Sequence, residues 1–249
     1  MRAQTSGTST AVVDRDRVYA ATWSPLGEND QFSPLPDFAG LLEKYDKDGD
    51  GEVSENEFPK DLAVISRPDT GNVPGATMYA GLFKGFIDQD KDGKIQKAEW
   101  DGFVGALKKF KADHGLVAIA PSGEGDVTAK IAWTEKTAIP EVPSPLLSGG
   151  RLYMVRNGGI VTCVNAQSGA VLFRSRIGAG GPYYSSPIAV NGKIYIASGE
   201  GTVVVLSDGD KFEVLARNDL QEEIFATPAA AAGTLYVRTA KHLYAFGGK

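Results

Sequence analysis

Cysteine, histidine and methionine are scarce in this chain of 249 residues, which has one Cys, two His and three Met. The lone Cys163 cannot close an intrachain disulfide, and with His114 and His242 it cannot build a zinc site of Cys/His spacing. Cys163 lies in an apolar, strand-like run and reads as a small core residue. Long apolar runs are missing too. No stretch reaches the length of a membrane-spanning helix, and MRAQTSGTST lacks the hydrophobic segment of a secretory signal. There is no basic stripe, which excludes the electrostatic footprint of a nucleic-acid binder. The formal charge of −5 is instead unevenly spread: residues 24 to 113 hold 18 acidic and 11 basic side chains, a net of −7, against 13 acidic and 15 basic elsewhere, a net of +2.

The acidic excess is concentrated in two twelve-residue stretches. A calcium loop places oxygen ligands at positions 1, 3, 5, 7, 9 and 12, with glycine at 6 where the backbone turns sharply. In the first stretch Asp46, Asp48 and Asp50 give side-chain oxygens, Gly51 makes the turn, Glu52 offers its carbonyl, Ser54 acts through water and Glu57 closes the shell. In the second, the same positions fall to Asp88, Asp90, Asp92, Gly93, Lys94 (carbonyl), Gln96 and Glu99. Position 8 is apolar in both, Val53 and Ile95, as a short strand contact between two loops requires.

The flanks carry helical periodicity. Phe38, Leu41, Leu42 and Tyr45 form an apolar stripe before the first loop, Met78 to Ile87 does so before the second, and Trp100, Phe103, Leu107 and Phe110 mark a long helix after it. Pro59 limits the helix after the first loop to a short one ending near Ile65. Taken together, residues 36 to 112 resemble the EF-hand family as a paired unit. Two calcium ions are expected, with metal ligands Asp46, Asp48, Asp50, Glu52, Ser54, Glu57, Asp88, Asp90, Asp92, Lys94, Gln96 and Glu99.

Outside this segment the chain reads as strands separated by Gly, Asn and Asp. Tyr153, Tyr195 and Tyr236 recur at spacings of 42 and 41, and Ser144-Pro145, Ser186-Pro187 and Thr227-Pro228 keep the same register. A period of about 40–45 residues with four strands per copy is the signature of a β-propeller blade. The last copy runs out after three strands. A further copy is split: Tyr19 belongs to its second strand, and Leu116 to Ala120 with Lys130 to Trp133 supply the rest. Tyr19 and Tyr153 are 134 residues apart, 92 more than one 42-residue period, which is the size of the paired calcium segment with its connectors. A surface loop between the second and third strands of a blade tolerates such an insertion at small entropic cost. The expected organisation is residues 1–23 as the start of the first blade, 24–113 as the inserted pair and 114–249 as the remaining blades. The fold class is mainly β with an α-helical insert, a partial propeller of about four blades.

These blades resemble the pyrroloquinoline-quinone-type propeller repeats of quinoprotein dehydrogenases and of the lipoprotein of the outer-membrane barrel assembly machinery, over residues 9–20 and 115–249. The family repeat Asp-Ala-x-Thr-Gly-Lys-x-x-Trp appears here in degenerate form as Asn165-Ala-Gln-Ser-Gly-Ala-Val-Leu-Phe173. Phe173 stands where that family has the tryptophan that docks one blade on the next. Four copies are fewer than rings of this family use, so the chain is expected to be the C-terminal part of a larger propeller or to close by pairing with a second copy.

The resemblance introduces one alternative, a fragment of a quinone-dependent dehydrogenase. Those enzymes stack the quinone on a ring formed by adjacent cysteines and hold calcium with residues scattered over the propeller. One cysteine and two self-contained loops argue against both, and no bound quinone is expected. His114, His242, the adjacent Glu222 and Glu223, and Gly178 to Gly181 form no catalytic motif and read as structural or solvated. The preferred reading is a non-catalytic scaffold binding a protein or ligand partner on a propeller face, with calcium stiffening the insert. A calcium switch is the other alternative, although Met78 is the insert's only methionine and sensor grooves are methionine-rich. The resemblance implies the periplasm or exterior of a bacterium.

Overall fold

The computed structural model describes residues 8–24, 27–28, 32–67, 77–109, 114–121, 125–126 and 130–247. In chain order the strands β1 (Val12–Asp14) and β2 (Arg17–Thr22) come first. They are followed by α1 (Phe38–Tyr45), β3 (Val53–Ser54), β4 (Ala63–Ser66), β5 (Thr77–Tyr79), α2 (Lys84–Ile87), β6 (Lys94–Ile95) and α3 (Lys97–Lys109). Then come β7 (Gly115–Ile119), β8 (Ile131–Glu135), β9 (Leu146–Ser148), β10 (Arg151–Arg156), β11 (Ile160–Asn165) and β12 (Val171–Arg176). The last are β13 (Ile188–Val190), β14 (Lys193–Ala197), β15 (Thr202–Ser207), β16 (Val214–Asp219), β17 (Ala229–Ala231), β18 (Thr234–Arg238) and β19 (Leu243–Gly247). Two compact units result, one containing Met1–Glu28 and Ala112–Lys249, the other Asn29–Pro68 and Pro74–Lys111.

The first unit is a partial β-propeller of antiparallel sheets: β1-β2-β7-β8, then β9 to β12, then β13 to β16, then the three strands β17 to β19. In the first sheet β2 and β7 pair directly, from Val18 opposite Ile119 to Thr22 opposite Gly115, although 92 residues separate Thr22 from Gly115. The insertion therefore lies between the second and third strands of this blade. Sheets stack through three apolar clusters. Tyr19, Leu116, Leu152 and Met154 join the first sheet to the second; Tyr153, Val155, Cys163, Ile194 and Ile196 join the second to the third; Ala197, Val203 and Val237 join the third to the fourth. Both faces of β10 are thus covered, Leu152 and Met154 on one side and Tyr153 and Val155 on the other, which is why its sequence is an unbroken apolar run. Burial pushes the Cys163 thiol up to about 12, consistent with an inert core residue.

Each repeated residue has a physical task. Two of the repeat tyrosines bond to the turn before the last strand of the next blade: Tyr19 Oη donates to the Ala166 carbonyl (3.1 Å), and Tyr153 Oη donates to Asp208 (2.8 Å) while accepting from the Gly209 N–H (3.0 Å). Trp133 Nε1 donates to the same Ala166 carbonyl (3.1 Å), and its ring lies against Gly169, where a Cβ would approach to 2.6 Å. Phe173 takes this place one blade on, packing at 5.6 Å against Phe212. The Ser/Thr residues before proline form a one-way relay between blades. Thr10 N–H donates to Ser144 Oγ (2.8 Å), Ser144 N–H to Ser186 Oγ (2.9 Å), and Ser186 N–H to Thr227 Oγ1 (3.0 Å).

In the second unit α1 begins at Asp37, whose carboxylate accepts the Gly40 N–H, and buries Phe38, Leu41 and Tyr45. From α3, Trp100 and Phe103 enter the same core, and Trp100 Nε1 donates to the Pro36 carbonyl (3.0 Å). Two sequence expectations are corrected here. The short helix after the first loop is absent: a turn at Glu55–Glu57 leads through Pro59 to β4, because proline blocks the helix and Val64-Ile65 are β-branched and fully buried in pairing with β5. The continuous helix over Met78 to Ile87 is instead β5, a 3₁₀ turn over Ala80–Phe83 and the single turn α2. Gly81 and Gly85 weaken a helix there, and the β4–β5 ladder takes the first residues.

Candidate metal centre

The two loops face each other through the minimal ladder β3–β6, with Val53 opposite Ile95 and Ser54 opposite Lys94. Val53 and Ile95 are buried, so position 8 of each loop anchors it to the helical core. Gly51 and Gly93 have φ of +84° and +83°, the left-handed turn that position 6 demands and that a Cβ would strain.

Within the first loop the carboxylates are already organised by backbone N–H groups. Asp46 accepts from Gly49 N (2.7 Å) and Gly51 N (3.0 Å), Asp48 from Asp50 N (3.1 Å), and Asp50 from Glu52 N (2.9 Å). Glu57 reaches back across the loop, accepting from Lys47 N (2.7 Å) through one oxygen and from Ser54 Oγ (2.6 Å) and N (3.0 Å) through the other. These bonds, the Ser54 hydroxyl first, hold the Glu57 carboxyl down at about 2. Carboxylate oxygens of Asp46, Asp48 and Asp50 lie within 4.8 Å of one another.

The second loop repeats this with differences. Glu99 accepts from Gln89 N (2.8 Å) and Gln96 N (3.1 Å), Asp90 from Asp92 N (3.1 Å), and Asp92 from Lys94 N (2.8 Å) and Gln96 Nε2 (2.8 Å). Here the clustered oxygens are those of Asp88, Asp90 and Glu99, again within 4.8 Å. Among the described residues Asp88 Oδ1 is buried with no hydrogen-bond donor. A buried carboxylate oxygen left without a donor is costly alone and suited to a cation. All-oxygen donor sets of this kind, with a carboxylate closing each loop, fit calcium.

All twelve sequence-named positions therefore lie in the two loops. What sequence reading left out is the side chain of Lys94, named there only for its carbonyl. Its ammonium crosses to the first loop, donating to Glu52 Oε2 (2.6 Å) and Asp50 Oδ2 (3.2 Å), and these carboxylates raise its pKa. The signal was present in positions 7 of the two loops, Glu52 and Lys94, which carry opposite charges on either side of the β3–β6 ladder.

Other buried titratable groups are engaged in packing. Glu28 Oε1 accepts from His114 Nε2 (3.3 Å) and Ile139 N (3.0 Å), and its Oε2 from Arg156 Nη1 (2.9 Å) and Ala138 N (2.9 Å). Ser24 N donates to His114 Nδ1 (3.0 Å), fixing the tautomer that donates from Nε2. At the surface, the exposed His242 bonds Glu222 (2.7 Å), which also accepts from Thr239. Among the described residues no helix is long and apolar enough to cross a membrane.

Stacked four-stranded antiparallel sheets of 41- to 42-residue period, with paired twelve-residue acidic loops, define a propeller-type repeat protein carrying an EF-hand pair. A family model described as outer membrane protein assembly factor BamB matches residues 112–212 and again 157–247, together more than half of the chain, and the chain belongs to that family of quinoprotein-type repeats. An EF-hand model matches residues 39–61 and 85–104, one match over each loop. Among solved structures, BamB from Moraxella catarrhalis is similar at 18% identity and a TM-score of 0.43, covering 53% of this chain and 39% of that one. A europium-containing methanol dehydrogenase is similar at 15% identity and 0.33, covering 42% of this chain and 21% of its own. Myxococcus xanthus glutaminyl cyclase is similar at 16% identity and 0.33, covering 54% and 58%. The chain thus spans less than two thirds of each of these proteins. No curated protein matches the sequence.

Proposed function

We propose that this chain is a calcium-binding, non-catalytic propeller scaffold that presents a surface to a protein partner in the periplasm or cell exterior, with two calcium ions stabilising the insert. The observation that carries the calcium reading is the pre-folded state of both loops, with Glu57 and Glu99 closing them and Asp88 Oδ1 buried without a donor. Bound calcium would supply the positive charge that the clustered carboxylates lack. The chain's own residues do the positioning: N–H groups aim the aspartates, the β3–β6 ladder locks the loops together, and Trp100 beside Glu99 ties the second loop to the core.

Two features support the scaffold reading. In the propeller unit the buried Glu28, His114 and Arg156 are committed to one packed network, and the only cysteine is a core residue. At one repeat position, just before the Ser/Thr-Pro pairs, Val142 (38% exposed), Tyr184 and Phe225 (53% exposed) come from consecutive blades, with the Tyr184 and Phe225 rings 5.0 Å apart edge to face. Such an apolar row suits a protein partner.

The test is a calcium titration of the EDTA-stripped chain, read by calorimetry and Trp100 emission, with the double variant Asp46→Ala/Asp88→Ala as control. Two filled sites, a raised melting temperature and no new dye-binding surface are expected. A large gain of dye binding on calcium addition would favour a switch, and absence of calcium binding would remove the reading altogether.

A further inference from the structure

The two loops are not equivalent, and the difference sits at position 5. In each loop this aspartate gives one oxygen to the N–H of position 7: Asp50 to Glu52 N (2.9 Å) and Asp92 to Lys94 N (2.8 Å). The other oxygen meets different partners. Asp92 Oδ2 accepts from the neutral Gln96 amide (2.8 Å), whereas Asp50 Oδ2 is held by the Lys94 ammonium (3.2 Å), which also binds Glu52 (2.6 Å). The pairing of Ser54 with Lys94 in the β3–β6 ladder fixes the origin of that side chain beside the first loop, so the contact is built into the loop pairing.

The remaining ligands differ in the same sense. Both oxygens of Asp46 already accept N–H groups in the first loop, while Asp88 Oδ1 at the matching position has no donor among the described residues. Glu99 and Glu57 accept the matching N–H pairs, Gln89 with Gln96 and Lys47 with Ser54, but Glu57 is also held by the Ser54 hydroxyl, and only Glu99 belongs to the clustered carboxylates of its loop, the first-loop cluster being the three aspartates.

Resting on the calcium reading above, we infer that the loops fill in order, residues 88–99 before residues 46–57, and that Lys94 sets this order as an internal cation that occupies a ligand of the first loop. Calcium entering the first loop must compete with the ammonium for Asp50 and then tolerate a positive charge a few ångströms away. The second loop contributes the lysine but is spared its charge, because the side chain points across the ladder. At the partial exposure of Lys94, charge repulsion and competition of this kind amount to about three- to tenfold in affinity at moderate salt.

The experiment is calorimetric titration with calcium chloride of the full chain in single-loop backgrounds. Glu99→Gln leaves the first loop and Glu57→Gln leaves the second. The expected results are tighter binding in the Glu57→Gln chain than in the Glu99→Gln chain, a three- to tenfold gain at the first loop when Lys94→Gln is added, and less than a twofold change at the second. Lys94→Arg should keep the first loop weak. An unchanged or weakened first loop in Lys94→Gln, or a first loop that fills before the second, would overturn the ordering while leaving calcium binding intact. No binding by the unsubstituted chain would overturn both.

Discussion

Replacing Glu28 by glutamine changes one charge and almost no volume, yet it should be among the most damaging single substitutions in the propeller unit. The carboxylate is 4% exposed, with His114 at 1% and Arg156 at 7%. Each of its oxygens accepts two donors. A glutamine amide has one acceptor oxygen and one donor group, so in either orientation two donors face an N–H, and the Arg156 guanidinium loses the Glu28 charge 2.9 Å away. Breaking a buried ion pair by removing one partner costs about 3–5 kcal/mol, roughly 6–20 °C of melting temperature in a domain of this size. The pH dependence follows with a definite sign. Burial alone would raise the Glu28 pKa, but the His114 bond, the Arg156 charge and the Ala138 and Ile139 N–H groups outweigh it and the value lies below the usual 4.5. Its contribution is therefore fully present above about pH 4.5 and is lost as pH falls through the lowered folded value. Urea denaturation from pH 7 to 3, run on the parent, Glu28→Gln, Arg156→Met and the double variant, checks this. A loss below about 1 kcal/mol at pH 7, or additive single variants, would refute the buried network, since coupled neighbours must be non-additive.

Three further outcomes are expected from the blade contacts. Gly169→Ala sets a Cβ 2.6 Å from the Trp133 ring at a φ of +74° and should cost about 2–4 kcal/mol, with part of the loss recovered in Trp133→Leu, read by urea titration. Ser186→Ala deprives the Ser144 N–H of its acceptor and should cost about 0.5–1.5 kcal/mol, whereas Ser186→Thr should be close to neutral in the same assay. Tyr153→Phe leaves Asp208 with Ser148 and Arg151 but removes the hydroxyl bonded to the Gly209 N–H, a loss of about 1–3 kcal/mol measurable by calorimetry.

Much of this architecture is legible in the sequence because each blade repeats one task at one position. The repeat tyrosines fall in the second strand of each blade, β10, β14 and β18, and each Ser/Thr-Pro pair falls immediately before the first, β9, β13 and β17. The calcium loops are equally plain, since ligand geometry dictates residue type position by position. The segment joining the loops is not: Met78 to Ile87 has helical periodicity, and its first residues become a strand only because a separate segment, β4, ending at Ser66, pairs with them. Glu28, His114 and Arg156 were out of reach for the same reason, being separated by 86 and 128 positions in their bonds to Glu28.

Without help from the second unit that lies between them in sequence, the direct pairing of Thr22 with Gly115 closes the ladder of the first blade. Its strands hydrogen-bond as an ordinary hairpin would, with the two ends about 5 Å apart. A lineage could therefore lengthen, shorten or exchange this passenger while the host sheet continued to fold, and an engineer could close the gap with a two-residue turn, provided the Glu28–His114 clasp were rebuilt. The blade edge becomes a port for acquiring modules, in which selection on the cargo and selection on the scaffold proceed independently.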